Sequence, residues 1–309
     1  MKKIIKIFTI YLIPIIFVIS FFEYNLPTVK NSYNKKKEFF EKSISENTVL
    51  VLGNSHARSG IDPTFFDSKG FNLANGSQSL YYDCQLFSNY LQDMDNLEIV
   101  LICVDYFSLE YNLSKSPEYW RAFFYERVYR IPPESKNHYI DFKRFSWIEL
   151  YGRKRSLTYA LNLFKVDLAR EMKKNGSDSP YPEGMFKDGK QRVDFHHSIM
   201  NEAHIPANME YLEKIIEISL ANGIIPIIIT LPVFHAYSDN IDKKKYQIIQ
   251  ENIDKLCKKY KIQYYNYFYD KRFEIDDFGN ADHMCSKGME KLSRIINAEI
   301  LKRNLVNSN

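Results

Sequence analysis

The stretch that decides the fold is residues 48–60, with the sequence TVLVLGNSHARSG. Its apolar part, Val49–Leu52, is a short continuous run that ends at Gly53, and this predicts a strand covered on both faces. Gly53 allows a sharp turn because it has no Cβ atom. Ser55 follows just beyond the carboxyl end of this strand, which is the end where open α/β sheets bind ligands.

Ser55 has two interpretations at this point of the chain. A serine on a tight turn after a strand can point its hydroxyl outward and use nearby backbone N–H groups as oxyanion donors. The alternative is an Asn-Ser turn that merely connects strand to helix. His56 could contact a substrate beside it, although packing or capping is the commoner role for such a residue.

Strand and helix patterns alternate along the rest of the chain. This alternation predicts a three-layer α/β sandwich, in which helices cover both faces of a central parallel sheet. The predicted strands are 49–52, 71–74, 99–104, 226–231 and 262–267, and the predicted helices are 79–92, 209–222, 243–260 and 286–302.

The N-terminus is apolar over residues 4–22, interrupted by Lys6 and a few mildly polar residues. That length is close to the roughly 20 residues that a membrane-spanning helix needs. Basic residues at the start favour a cytoplasmic N-terminus, although lysines 35–37 weaken this argument. The run lacks a small-residue cleavage site, so we expect an uncleaved anchor; a buried N-terminal helix is the alternative. We therefore predict an anchor and stalk at residues 1–45 and an α/β domain at 46–309.

Residues 106–205 break the regular pattern, because aromatic and charged residues alternate there without a clear period. A structureless loop of this length would be unusual, so we expect a largely helical segment. We interpret it as an insertion over the carboxyl ends of the strands, serving as a lid or a partner surface.

Composition narrows the range of partners. The net charge is only +4 over 309 residues, and no basic stripe with interleaved aromatics is present, so nucleic acid is not an expected partner. The histidines at 196, 197 and 204 lack carboxylates or cysteines at ligand spacing, so we expect no metal and no other cofactor. The four cysteines match no metal motif. They could pair outside the cytoplasm, but buried free thiols are the expected state for most of them.

A histidine near the far end of the chain is a candidate base for Ser55. His283 lies in the stretch 276–288, DDFGNADHMCSKG, between the last predicted strand and the last predicted helix. It therefore also lies at the carboxyl edge of the sheet. A serine hydroxyl needs a base within about 2.6–3.2 Å, and histidine can take its proton and return it to a leaving group.

Three short motifs resemble the SGNH (GDSL-like) hydrolases: GNSH at residues 53–56, NG at 75–76 and DH at 282–283. With the apolar N-terminus, the chain is most similar to the membrane-anchored envelope branch, which includes the DltD and alginate O-acetylation proteins. The resemblance covers residues 46–304 but leaves 106–205 unmatched. It implies the flavodoxin-like SGNH fold, Ser55 as nucleophile and His283 as base, with oxyanion donation from the N–H groups of Ser55 and Gly76.

Two departures from the family pattern leave parts of the site open. The third family block offers an asparagine to the oxyanion, but the corresponding strand here ends in Asp105. The family acid lies three residues before the histidine, where this chain has Asn280. Asp282 is the nearest carboxylate and our first choice for the acid; Asn280 orienting the imidazole through its carbonyl oxygen, and a dyad without an acid, remain alternatives.

The sequence thus predicts a serine esterase or O-acyltransferase that forms an acyl-serine intermediate. The expected substrates are acyl esters, acetyl esters in particular, of an envelope polysaccharide or lipid-linked sugar. A membrane-bound acyltransferase is a candidate partner, and the expected location is the bacterial cytoplasmic membrane with the catalytic domain on the extracytoplasmic side. The competing hypothesis is a non-catalytic protein that binds glycan or an acyltransferase through a degenerate site.

Overall fold

The computed structural model describes residues 2–29, 31–153, 156 and 185–305 of the chain. Its centre is a five-stranded sheet in which every pairing is parallel and the spatial order is β2-β1-β3-β4-β5. The strands are β1 Val49–Leu52, β2 Gly70–Asn72, β3 Ile99–Cys103, β4 Ile225–Thr230 and β5 Gln263–Asn266.

The central strands are apolar throughout because both of their faces are covered. Every residue of β1 and β3 is buried, and Val51, Leu101 and Ile227 lie side by side across β1, β3 and β4. The outer strand β5 is less buried, with Gln263 and Asn266 exposed and Tyr264 and Tyr265 half-buried, as expected for a strand at the edge of a sheet. The strand order reverses between β1 and β3, so the loops that follow these strands diverge and open a crevice.

Helices cover both faces of this sheet and confirm the predicted three-layer α/β sandwich. Helix α3 packs against α8 on one face, and α4 packs against α6 on the other. The longer helices are α1 Lys2–Asn25, α2 Ser32–Ser43, α3 Ser55–Gly60, α4 Leu80–Tyr90, α5 Met185–Ile199, α6 Ile205–Ala221, α7 Lys243–Tyr260 and α8 Ser286–Ile296. Shorter helices are Ala122–Phe124, Phe142–Phe145, Trp147–Tyr151, His235–Ser238 and Lys302–Leu305, with π-helical segments at Tyr125–Tyr129 and Asn297–Leu301.

Helix α1 is long and apolar enough to cross a membrane, by length and composition. Between Ile10 and Phe21 its large apolar side chains are exposed, and Phe17 is 70 % exposed. The end of α1 is joined to the helix Trp147–Tyr151, because the Glu23 carboxylate accepts the backbone N–H of Trp147 at 2.8 Å. The side of the membrane on which the rest of the chain lies stays a prediction.

A second, aromatic core lies beside the main one. It joins residues 26–33 to residues 107–151, and the rings of Tyr33 and Phe124 stack with their centroids 5.0 Å apart.

Within the segment predicted to be helical, α5 and several short helices are present, while residues 154–184 other than 156 lie outside the described residues. The domain boundary at 45/46 and the insertion at 106–205 stay predictions. All four cysteines are free thiols, of which Cys84 and Cys103 are buried.

Candidate active site

Ser55 is presented at the carboxyl edge of β1 by a tight turn. Gly53 has φ +141°, and a Cβ atom at that position would lie 2.7 Å from the Cβ of Cys103, so glycine is required for two reasons. Asn54 then caps α3, because its side-chain oxygen accepts the backbone N–H of His56 at 2.8 Å. Ser55 becomes the first residue of α3 and is half-buried.

The structure brings Ser55 and His283 together. The Oγ of Ser55 lies 2.9 Å from the Nε2 of His283, although 228 residues separate them in the sequence. His283 lies in the loop between β5 and α8, so both residues stand at the same edge of the sheet. This distance is within the range that a general base needs to take a proton from a hydroxyl.

Both candidate orienting groups lie beside the other ring nitrogen of His283. The Oδ1 of Asp282 is 3.0 Å from Nδ1, and the Oδ1 of Asn280 is 3.1 Å from it. The Asn280 oxygen also accepts the backbone N–H groups of Asp282 and His283, at 3.1 and 2.8 Å, so it shapes the loop. Asp282 has the stronger electrostatic effect on the ring because it is charged and fully buried.

Asp282 is also bound by an arginine from a distant helix. Arg192 in α5 donates to both carboxylate oxygens, with its Nε 2.9 Å from Oδ1 and its Nη2 2.7 Å from Oδ2. Helix α5 reaches this position because Gly189 packs directly on the backbone of Ala236, where a Cβ atom would lie 2.2 Å from its carbonyl oxygen. The carboxylate of Asp188 also accepts the backbone N–H of Ala281 at 3.0 Å.

A second imidazole lies beneath the site, between two carboxylates. The Nε2 of His56 is 3.2 Å from Asp282, and its Nδ1 is 3.4 Å from Asp105, with all three side chains buried. Burial alone would lower the pKa of His56, but the charges and hydrogen bonds of Asp105 and Asp282 outweigh it and raise this pKa to about 9. His56 is therefore an imidazolium at neutral pH.

These four groups, His56, Asp105, Arg192 and Asp282, form what we call the charge network. It combines two basic and two acidic side chains, so groups of opposite sign occur in equal number. Burial would raise the pKa of the Asp282 carboxyl, but His283 and His56 hold it well below its ordinary value. Asp282 therefore stays ionised next to His283.

His283 itself is neutral at physiological pH. Burial lowers the pKa of its imidazole below the ordinary value, although the neighbouring Asp282 carboxylate acts in the opposite direction. A neutral imidazole with a free lone pair on Nε2 can accept a proton from Ser55. The site thus has a hydroxyl, a neutral base and an ionised carboxylate in hydrogen-bonded sequence.

Most contacts of the charge network were not predicted from the sequence. Arg192 lies in the irregular segment and has no local pattern that points to residue 282. Asp105 was noted as a departure from the family pattern but not as a partner of His56. His56 was assigned a packing or capping role as the commoner alternative, and the structure places its side chain between two carboxylates.

Gly76 lies beside the turn that presents Ser55. The loop after β2 is joined to it through the backbone N–H of Asn75, which donates to the carbonyl oxygen of Gly53 at 3.3 Å. Within the described part of the chain, the N–H groups of Ser55 and Gly76 donate to no backbone carbonyl. The assignment of these two groups as oxyanion donors stays a prediction.

The three histidines at 196, 197 and 204 bind different partners and do not converge. They contact the hydroxyl of Tyr237, the hydroxyl of Tyr106 and the carbonyl of Glu110, respectively. Donor atoms of His56, Asp282 and His283 do lie within 4.8 Å of one another, a spacing that a metal could bridge. The Arg192 guanidinium already pairs with Asp282, and its charge disfavours a cation there.

No protein-family model and no curated protein matches this chain. Among solved structures, it is similar to a putative acylhydrolase from Bacteroides fragilis, with 13 % identity, coverage of 89 % of this chain and 99 % of the other, and a TM-score of 0.44. It is also similar to a GDSL-like lipase from Bacteroides thetaiotaomicron, with 12 % identity, 88 % and 98 % coverage and a TM-score of 0.44. A psychrotrophic esterase from Pseudoalteromonas sp. shows 11 % identity, 84 % and 98 % coverage and a TM-score of 0.41.

Proposed function

We propose that this protein is a serine ester hydrolase or O-acyltransferase with Ser55 as its nucleophile. The observation that carries the proposal is the hydrogen-bonded series from the Ser55 hydroxyl through His283 to Asp282, with distances of 2.9 and 3.0 Å. A neutral base and an ionised carboxylate in this order are what acyl transfer through a serine requires.

The proposed reaction has two steps. In the first, the Ser55 Oγ attacks the ester carbonyl carbon while His283 Nε2 takes the hydroxyl proton; the bond to the leaving alcohol breaks, and His283 returns the proton to that alcohol. In the second, water or another alcohol attacks the acyl-serine with His283 again as base. Water yields the carboxylic acid, a sugar hydroxyl yields a new ester, and Ser55 is regenerated with its proton in both cases.

Stabilisation of the tetrahedral oxyanion would come from the backbone N–H groups of Ser55 and Gly76. Each oxyanion donor of this kind is worth about 10²–10³ in kcat. Asp105, which stands where the related family offers an asparagine, lies against His56 and is not a donor in this scheme. We therefore propose an oxyanion hole built from backbone groups.

The substrate class is a further part of the proposal. We propose acyl esters, acetyl esters in particular, of a cell-envelope polysaccharide or lipid-linked sugar, with a membrane-bound acyltransferase as a candidate partner. The apolar helix α1 supports an enzyme held at a membrane, and the resemblance to the DltD and alginate O-acetylation proteins supports a glycan. The proposed location is the bacterial cytoplasmic membrane, with the catalytic domain on the extracytoplasmic side.

A non-catalytic glycan-binding or acyltransferase-partner protein is the second candidate. The departures at Asn280 and Asp105 favour it, because both replace residues that the related family uses in catalysis. The intact contact between Ser55 and His283 favours the enzyme, since a binding surface has no need of a nucleophile and base in register.

Covalent labelling separates the two candidates. The full chain in a nonionic detergent would be treated with a fluorophosphonate probe and assayed with p-nitrophenyl acetate. We expect labelling and turnover in the natural protein, and the loss of both in Ser55→Ala. The matched control is Ser59→Ala, four residues further along the same helix, which should label normally. Failure of the natural protein to label or to turn over ester would favour the binding protein.

A further inference from the structure

A second group of charged side chains lies on the other side of the nucleophile from the charge network. The strand order β2-β1-β3 places the loop after β2 on one side of Ser55 and Asp105, after β3, on the opposite side. The second group surrounds the β2 loop at Gly76 and consists of Lys36, Arg58 and Arg121, which we call the basic group. No step of the proposed reaction uses these three residues.

The basic group converges on the candidate oxyanion donor. A Cβ atom at Gly76 would lie 3.4 Å from the Nη1 of Arg58 and 3.7 Å from the Nη1 of Arg121. Lys36 reaches the same loop, because its Nζ donates to the carbonyl oxygen of Ala74. Arg58 follows Ser55 by one turn of α3, so both side chains lie on the same side of that helix, with Cβ atoms about 5–6 Å apart.

Among the residues that the structure describes, the charges of the basic group are only partly balanced. Glu118 is the carboxylate that pairs with it, accepting the Arg121 Nη2 at 2.9 Å and also the hydroxyl of Ser77. Within the described residues, Arg58 is exposed and forms no ion pair, and the buried Nε of Arg121 has no hydrogen-bond partner. Three basic side chains thus face one carboxylate.

Two of the three members show the effect of neighbouring positive charge. Arg121 differs, because Tyr33 and Glu118 outweigh the effect of burial and raise its pKa. Burial and the positive charge of Arg58 lower the pKa of Lys36 to about 7. The Arg58 side chain keeps contact with solvent, but the loss of part of its hydration among the surrounding residues and the charge of Arg121 lower its pKa. Like charges that weaken one another in this way are stabilised by an anion placed between them. Two arginine side chains are suited to this, because a guanidinium binds carboxylate or phosphate through two parallel hydrogen bonds.

We propose that Arg58 and Arg121, supported by Lys36, form a subsite beside Gly76 for an anionic group, a carboxylate or phosphate, carried by the substrate. The subsite rests on the proposed function in so far as it assigns the anion to an ester cleaved at Ser55. One helical turn separates Arg58 from Ser55, so the anion lies within a few bonds of the scissile ester. Because Gly76 has no side chain, both guanidinium groups can lie against its backbone.

The first experiment compares neutral and anionic esters with the full chain in a nonionic detergent. The neutral ester is p-nitrophenyl acetate, and the anionic esters are p-nitrophenyl hydrogen succinate, charged on the acyl side, and 3-carboxy-4-nitrophenyl acetate, charged on the alcohol side. We expect at least one anionic ester to have the higher kcat/KM. The ratio of anionic to neutral kcat/KM should fall about tenfold in Arg58→Gln and in Arg121→Gln. Arg153→Gln, which removes an arginine that is 83 % exposed, is the matched control and should leave the ratio unchanged.

The second experiment measures anion binding in the absence of ester turnover. Trp120 lies beside the subsite, with its ring centroid 4.7 Å from the Cζ of Arg121, so its fluorescence should respond when an anion binds. Titration with inorganic phosphate and, separately, with acetate distinguishes the two anion chemistries. We expect a saturable response to at least one of them that Arg58→Gln weakens and Arg153→Gln does not.

The two experiments together separate failure of the subsite from failure of the proposed function. A protein that labels at Ser55 but shows no anion response and no change of ester ratio in the arginine variants overturns the subsite alone. A protein that does not label but binds phosphate or acetate through Arg58 and Arg121 keeps the anion site and overturns the esterase. Absence of both labelling and anion binding overturns both.

Discussion

The two charged groups that flank Ser55 differ in whether acidic and basic side chains occur in equal number. In the charge network, His56, Arg192, Asp105 and Asp282 are buried or half-buried and pair with one another. In the basic group, Lys36, Arg58 and Arg121 are partly exposed, and within the described residues Arg121 alone forms an ion pair, with Glu118. The sheet topology puts the first group on the β3 side and the second on the β2 side of the nucleophile.

This difference separates two uses of charge in one site. A balanced, buried network fixes the protonation states of its members and so prepares His283 to accept a proton without outside help. An accessible group with few acidic partners among the described residues gains most from an anion that binds from outside. Changes in the first group should therefore affect chemistry and stability, whereas changes in the second should affect the choice of substrate.

The largest expected effect comes from removing the central charge of the network. Asp282→Asn keeps the shape of the side chain but removes the charge that stabilises a protonated His283, so we expect kcat for p-nitrophenyl acetate to fall by about 10³-fold to 10⁴-fold. The variant also leaves Arg192 and His56 without their shared carboxylate, so it should unfold at a lower urea concentration. Steady-state kinetics below the unfolding transition measure the first effect.

The matched control for that variant is Asn280→Asp, which keeps the acceptor atom that binds two backbone N–H groups. Its kcat should remain within about tenfold of the natural value. The assignment of the acid to Asp282 fails if the effects are reversed, with Asp282→Asn active and the variant at residue 280 inactive.

A smaller effect is expected on stability as the pH rises. The pKa of His56 is raised to about 9 from an ordinary value near 6.5, so its contribution is fully present below pH 6.5 and is lost as the pH rises through 9. At 1.36 kcal/mol per pKa unit, the contribution is on the order of 3 kcal/mol. Urea unfolding at pH 7 and pH 10 measures the loss.

His56→Gln serves as the reference for this pH experiment, because glutamine does not titrate. The natural protein should lose more stability than the variant between pH 7 and pH 10. Equal pH dependence in the two proteins would show that His56 does not carry a proton in the folded state, and the balance of the charge network would then be wrong.

The smallest expected effect distinguishes the two groups by their response to salt. Raising the ionic strength from about 0.15 M to about 1 M shortens the screening length from about 8 Å to about 3 Å. The preference for an anionic ester should therefore fall several-fold, because Arg58 is exposed, while turnover of the neutral ester should change little. A loss of equal size for both esters would place the salt sensitivity in the buried network instead.

The fold was predictable wherever the apolar pattern is strong and local. The predicted bounds of β1 and α7 match the structure, because a short buried run and a regular amphipathic period leave little choice. Helix α6 begins at Ile205, four residues earlier than predicted, because Pro206 is well suited to a first helical turn. The last predicted helix, 286–302, is α-helical only as far as Ile296. The chain then continues as the π-helical segment Asn297–Leu301.

The candidate site was predictable in its loops but not in its surroundings. Ser55 and His283 could be paired because each follows a strand, and parallel strands bring such loops to one edge. Arg192 could not be found in this way, because its approach depends on how α5 packs, and that packing depends on the close contact of Gly189 with Ala236. The pairing of His56 with Asp105 likewise depends on the distance between two side chains, which no spacing in the sequence reports.

The hydrogen bond between Glu23 and the helix Trp147–Tyr151 bears on how far Ser55 can lie from the end of α1. Helix α1 has 24 residues and is therefore about 36 Å long, enough for a hydrocarbon layer of about 30 Å. Because its last turns are hydrogen-bonded to a folded segment, the end of the helix has a fixed position relative to that segment. An enzyme whose α1 spans a bilayer in this way would hold Ser55 at a fixed distance from the membrane surface, so a membrane-anchored substrate would have to present its ester at that distance.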